Sequence, residues 1–209
     1  MNKIFIIGLP RTGTTSICAA MLNHDFKVAH TALTKQSFAL ADVIADTPCF
    51  TDFRPLDQIF PGSLFVYSER NIESWLPSVQ MLLDKMLKYE ESGGHFNPVI
   101  ERCFNETFQL WTCEKPLDTK HLTQCYKQHK QTIFEYFDGR NDLLHLDVSQ
   151  SGSLEALLLF LGRPAHKNAE LPHLNANRMI TAWRDIKHPN KVNSNAIGPE
   201  RRKFFDYAC

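Results

Sequence analysis

Gly8 and Gly13 stand five residues apart, with Arg11 between them and the hydroxyl residues Thr14, Thr15 and Ser16 directly after. Glycines at this spacing let a loop turn its amide N–H groups inward, and a helix that follows adds the positive end of its dipole. The segment Gly8-Leu9-Pro10-Arg11-Thr12-Gly13-Thr14-Thr15 therefore reads as a phosphate cradle. A nucleotide-hydrolysing loop carries Lys where this chain has Thr14, and that ammonium reaches the terminal phosphates. Here the cation has moved into the loop as Arg11, which suits a terminal group of lower charge than a triphosphate.

Such a loop works only between a buried strand and a helix. Asn2 to Ile7 is a continuous apolar run ending in Gly8, and Thr14 to Leu22 carries Ile17, Met21 and Leu22 on one helical face. Further strands are predicted at Lys27–His30, Cys49–Asp52, Ser63–Ser68 and Leu143–Val148. Helices are predicted at Ser37–Ala45, Leu56–Phe60, Ile72–Tyr89, Pro98–Trp111, Thr119–Phe137, Ser153–Leu161 and, as a short element, Arg178–Asp185. Strands alternating with helices predict an α/β fold, a three-layer α/β/α sandwich on a central parallel sheet, with ligand at the carboxyl ends of the strands. The 209 residues fit one domain, 1–209, within which 90–140 would form a helical lid and acceptor wall. Phe96, Phe104, Phe108 and Trp111 suit either an apolar pocket there or ordinary core packing.

Composition narrows the function classes. The chain is 43% hydrophobic and 22% charged, and its 23 basic and 23 acidic residues cancel. No basic excess points to nucleic acid, so an anion site must be local. The N-terminal run is too short for a secretory signal, and no stretch approaches the ~20 apolar residues of a membrane span. A soluble, cytoplasmic protein is expected, with its six cysteines reduced and serving as small hydrophobes.

Leu9-Pro10-Arg11-Thr12-Gly13-Thr14-Thr15 resembles the 5′-phosphosulfate loop of the sulfotransferases, Pro-Lys/Arg-Ser/Thr-Gly-Thr-Thr, whose donor is 3′-phosphoadenosine 5′-phosphosulfate (PAPS). Residues Pro10 to Ser16 would then bind the donor's 5′ end, with Ser16 where some members place an adenine-stacking Trp. The family's 3′-phosphate site, a strand-end Arg and a Ser eight residues on, matches Arg70 and Ser78, with Ser74 as the alternative hydroxyl. Trp75 beside them could pack under a nucleotide or in the core. Leu143–Val148, Gly162-Arg163-Pro164 and Leu171-Pro172-His173-Leu174-Asn175 are similar to later family segments. The resemblance implies in-line sulfuryl transfer from PAPS to a hydroxyl or amine of a small-molecule or glycan acceptor, with no metal required and adenosine 3′,5′-bisphosphate as product. Arg11 would carry leaving-group charge, and Asp52 stands where the family's base would be, with His30 as a competitor. Two other readings remain: an atypical P-loop kinase of a small metabolite, and a non-catalytic nucleotide-binding member.

Overall fold

The computed structural model describes residues 2–172, 183–205 and 207. Ile4–Ile6 (β1), Val28–Ala29 (β2), Val43–Ala45 (β3), Leu64–Glu69 (β4) and Leu143–Asp147 (β5) form one parallel sheet in the order β2-β3-β1-β4-β5. β1 is central, with Ile4 opposite both Val43 and Leu64, and Ile6 opposite Ala45 and Val66. A strand paired on both edges and covered on both faces must be apolar throughout, which explains the unbroken run at the N-terminus.

The two-residue period of β1 divides the core. Ile4 and Ile6 face Ile17 and Met21 of helix α1 (Thr14–Asn23) and Leu157 of helix α7 (Ser153–Phe160). Phe5 and Ile7 face the other way, toward Phe38 of α2 (Lys35–Leu40), Phe53 and Leu56 of α3 (Cys49–Ile59), and Ile133 of α6 (Thr119–Tyr136). Helices on both faces give the expected three-layer α/β/α sandwich. A third core joins α4 (Ile72–Glu91), α5 (Pro98–Phe108) and α6 through Trp75, Phe104, Phe108 and Tyr126, with Phe50 of α3. The aromatics of 90–140 therefore serve helix packing: Phe104 and Phe108 are buried, and Phe96 and Trp111 pack against the same cluster.

Two predicted elements change type. Val43–Ala45, read as the end of a helix from Ser37, is β3, and α2 stops at Leu40 because Ala41 is extended (φ −82, ψ 139). The β-branched pair Val43-Ile44 fills the slot between β1 and β2, a reward that local helix propensity cannot match. Cys49–Asp52, read as a strand, is the first turn of α3. Cys49, Phe50, Phe53 and Leu56 are all buried on that helix, an i, i+3/i+4 pattern that a strand could not present to the core. Of the helix expected at Arg178–Asp185, Trp183–Asp185 is a 3₁₀ turn and the remainder lies outside the described residues, as do His173, Leu174 and Asn175. No described helix is long and apolar enough to cross a membrane.

His129 on α6 is buried, and its Nε2–H donates to the Phe50 carbonyl at 2.8 Å. Burial outweighs that bond and pushes its pKa down from an ordinary 6.5 to about 4. Between those values the unfolded chain binds a proton that the folded chain does not, so stability falls as pH falls through this window. The loss attributable to this residue is about 3 kcal/mol. His129→Gln keeps a donor for Phe50 and should show a shallower acid limb in urea denaturation by about that amount. Equal limbs would contradict the assignment.

Candidate active site

In a parallel sheet, ligands bind where successive connections leave in opposite directions from neighbouring strands. Here that point is β1: the chain leaves it for β2 and β3 on one side and later returns to β4 on the other. The carboxyl ends of β1, β3 and β4 deliver, respectively, the glycine loop, Asp46 and Arg70. Between them opens a cleft of about 520 Å³ lined by residues including Arg11, Thr14, Thr15, His30, Asp46 and Arg70.

The loop is held from beneath. Trp75 Nε1–H donates to the Pro10 carbonyl at 2.9 Å, Thr12 Oγ1–H donates to the Leu9 carbonyl at 2.7 Å, and Arg70 Nη1–H donates to the Arg11 carbonyl at 3.2 Å. Three consecutive carbonyls are thus engaged, while the first N–H groups of α1, which have no intrahelical partner, stand at the cleft. Gly13 takes φ +93, and a Cβ there would lie 2.8 Å from Val148 Cγ2, so the turn requires glycine. Arg11 itself sits at φ 75, an uncommon conformation for a residue with a side chain and one that concentrates at functional sites. Trp75 is wholly buried, so its role is in the core and under the loop. Thr12 is likewise buried, its hydroxyl also paired with Ser68 at 2.8 Å; Pro10, Gly13 and Ser16 line the cleft.

Two guanidinium groups share this cleft. Arg11 Nε–H donates to Ser78 Oγ at 2.9 Å and Arg70 Nε–H donates to Ser74 Oγ at 3.1 Å. The structure thus gives Ser78 to Arg11, and it is Ser74 that stands beside Arg70 on the cleft wall. Burial and the adjacent charge of Arg70 pull Arg11 below its ordinary pKa, against the opposing pull of Asp46. Among the described residues the two side chains bond to hydroxyls and a carbonyl, with no carboxylate ion-paired to either. Two guanidinium groups in one cleft with no carboxylate ion-paired to either make a ready anion site.

Opposite them lies an acid–imidazole pair. His30 Nε2 is 3.0 Å from Thr15 Oγ1 and 3.4 Å from Thr14 Oγ1, and its Nδ1 is 3.8 Å from Asp46 Oδ2. Trp183 stacks on the His30 ring at 5.4 Å, with Lys191 Nζ 4.9 Å from the indole centroid. Burial lowers the His30 pKa, keeping the ring neutral near pH 7. Burial raises that of Asp46, and His30, the Thr47 N–H and Arg11 offset it only in part. A carboxylate of raised basicity at a strand end, facing cations, has the character of a general base.

Asp52 is placed elsewhere. It occupies the first turn of α3, where Arg102 grips its two oxygens at 2.9 and 2.5 Å and the Tyr207 hydroxyl donates to it. This pair ties α3 to α5 and to the C-terminal segment, away from the cleft's walls. Asp46 went unnoticed in the sequence because Val43–Ala45 was read as helix; as a strand, its next residue is the strand-end acid. Arg201, Arg202 and Lys203 lie against Thr34 and Lys35 at the start of α2 and do not line the cleft.

Residues 27–180, nearly three quarters of the chain, match the family model described as "Sulfotransferase domain". That match spans Asp46, Arg70 and the last strand, and it starts beyond the glycine loop, so the loop is a separate indication. No curated protein matches the chain. With this match over a parallel α/β/α sandwich, the chain belongs to the sulfotransferase domain family.

Proposed function

We propose that the protein moves the sulfuryl group of PAPS to a hydroxyl or amine of a small-molecule or glycan acceptor by in-line transfer. The observation that supports this most is the convergence of Arg11, the Thr14 and Thr15 hydroxyls, Arg70 and Asp46 on one cleft of about 520 Å³. The residues fit a nucleotide with anionic groups at two places: the loop N–H groups, Arg11, Thr14 and Thr15 would hold the 5′ end, and Arg70 with Ser74 the 3′-phosphate. Bound PAPS supplies a sulfuryl group on an anhydride oxygen; the acceptor oxygen or nitrogen gains the bond to sulfur, the anhydride S–O bond breaks, and adenosine 3′,5′-bisphosphate leaves with the electron pair.

Asp46 takes the acceptor's proton in this reading, replacing Asp52 in that role. In this reading the neutral His30 ring donates its Nε2–H to Thr15 Oγ1, which frees the Thr15 hydroxyl proton for the anion, while Nδ1 stands 3.8 Å from Asp46 Oδ2. Arg11, whose guanidinium is fixed by Ser78, meets the charge that grows on the leaving phosphate.

The test uses PAPS labelled in its sulfuryl group, offered with a panel of hydroxyl and amine acceptors. Label should appear in an acceptor in step with release of adenosine 3′,5′-bisphosphate. Nucleotide that binds in the cleft but never yields labelled product across the panel would favour a non-catalytic role.

A further inference from the structure

A second cavity, of about 390 Å³, opens between α3, α5 and α6 and shares no lining residue with the nucleotide cleft. We infer that it is a binding site for an uncharged polyhydroxylated molecule, a sugar or polyol. The inference stands apart from the sulfotransferase reading and does not depend on it.

The lining chemistry carries it. Three carboxamides (Gln109, Gln124 and Gln128) and three hydroxyls (Thr51, Thr107 and Thr132) face one space. Each such group both donates and accepts, as the hydroxyls of a polyol do. Charge is scarce: no Lys or Arg lines the cavity, and the one carboxylate, Glu106, already accepts from Arg102 Nη1 at 3.1 Å. An anion therefore finds no cation and a cation finds a carboxylate already engaged. Phe50 and Phe53 supply an apolar base beneath the polar rim, the combination common in small-molecule pockets of this size.

The imidazoles add direction. His121 donates its Nε2–H to the Phe108 carbonyl and His129 donates its Nε2–H to the Phe50 carbonyl, each at 2.8 Å. Both backbone bonds fix the tautomer that leaves Nδ1 as an acceptor. For His129, nine-tenths buried, that Nδ1 has no partner among the described residues. The depressed pKa of His129 keeps it an acceptor at neutral pH. Thr51 and Thr107, 3.3 Å apart, link α3 to α5 at the cavity wall and hold its shape.

Saturation-transfer NMR of the intact chain, with adenosine 3′,5′-bisphosphate already in saturating excess, tests the site with methyl glucoside, N-acetylglucosamine and sorbitol as probes. At least one probe should bind saturably and shift the His129 ring and Gln124/Gln128 side-chain resonances. The double variant Gln124→Ala/Gln128→Ala alters two exposed positions on α6 and should fold normally. It should weaken that binding at least about tenfold. Glucuronate, the anionic counterpart, should bind more weakly than the neutral sugars. The inference is overturned if no probe binds, if the folded double variant binds undiminished, if glucuronate binds as well, or if the shifts map to the Arg11 cleft.

Discussion

Arg11→Met should lower kcat for sulfuryl transfer by about 10²–10³-fold, the usual cost of removing one preorganised group from developing transition-state charge. The cause is specific to this loop. Thr14 occupies the position where other phosphate loops carry their Lys, so Arg11 is the loop's own cation. Its guanidinium is held by Ser78 at 2.9 Å, and the backbone beneath it adopts φ 75, so the charge is fixed before any ligand arrives. A methionine keeps the length and loses the charge and the donors. Chain stability should change little, because the bond lost is one partly buried contact to a hydroxyl. Steady-state kinetics and thermal denaturation of the same preparation check both halves. A full-rate Arg11→Met enzyme would remove Arg11 from the chemistry.

Asp46→Asn should reduce kcat by about 10²–10⁴-fold, the range for loss of a positioned general base. Nucleotide binding should survive, since the variant leaves Arg11, Arg70 and the loop intact. The pH profile separates this from a packing effect. Burial raises the pKa of Asp46 above its ordinary 3.8, so activity in the wild type should fall as pH drops through that raised value and protonates the base. The acid limb should vanish in Asp46→Asn and persist in Asp52→Asn. Asp52 is buried and bound to Arg102 and Tyr207, so its variant should instead lose stability, because an amide there cannot accept all three of those bonds and leaves a buried N–H without a partner. An Asp52→Asn enzyme that is stable and inactive would return the base role to that residue.

These two carboxylates show where the sequence was legible and where it was not. β1, the glycine loop and α1 could be read because an apolar run, two glycines and a helical period follow one another with no competing pattern. The long helices α4 and α6 were visible for the same reason. Val43–Ala45 and Cys49–Asp52 were exchanged because three or four apolar residues fit a strand or a helix equally well. Only the pairing of Val43 with Ile4 and Val28, partners 39 and 15 positions away in the chain, decides the matter. That exchange moved the strand-end acid by six positions, from Asp46 to Asp52.

Spacing is an equally poor guide to the hydroxyl beside Arg70. Ser78 lies eight residues beyond Arg70, but the fold turns it toward Arg11 and puts Ser74 within 3.1 Å of Arg70. Arg70 precedes Asn71, the N-cap of α4, and its side chain reaches forward only to Ser74 in the first turn of that helix. The cavity at His129 left no mark in the sequence, since its walls come from three helices whose meeting is a tertiary event.

The cleft is proposed to hold a nucleotide with phosphate at both ends and to need no magnesium to do so. Calorimetric titration in EDTA tests it directly. Adenosine 3′,5′-bisphosphate should bind one site per chain, and removing either its 3′-phosphate or the Arg70 side chain should weaken binding about 10–100-fold, the worth of one charge-assisted contact. ATP should bind poorly and gain little when magnesium is restored. Tight binding of Mg-ATP, equal to or exceeding that of adenosine 3′,5′-bisphosphate and indifferent to Arg70→Ala, would contradict the account.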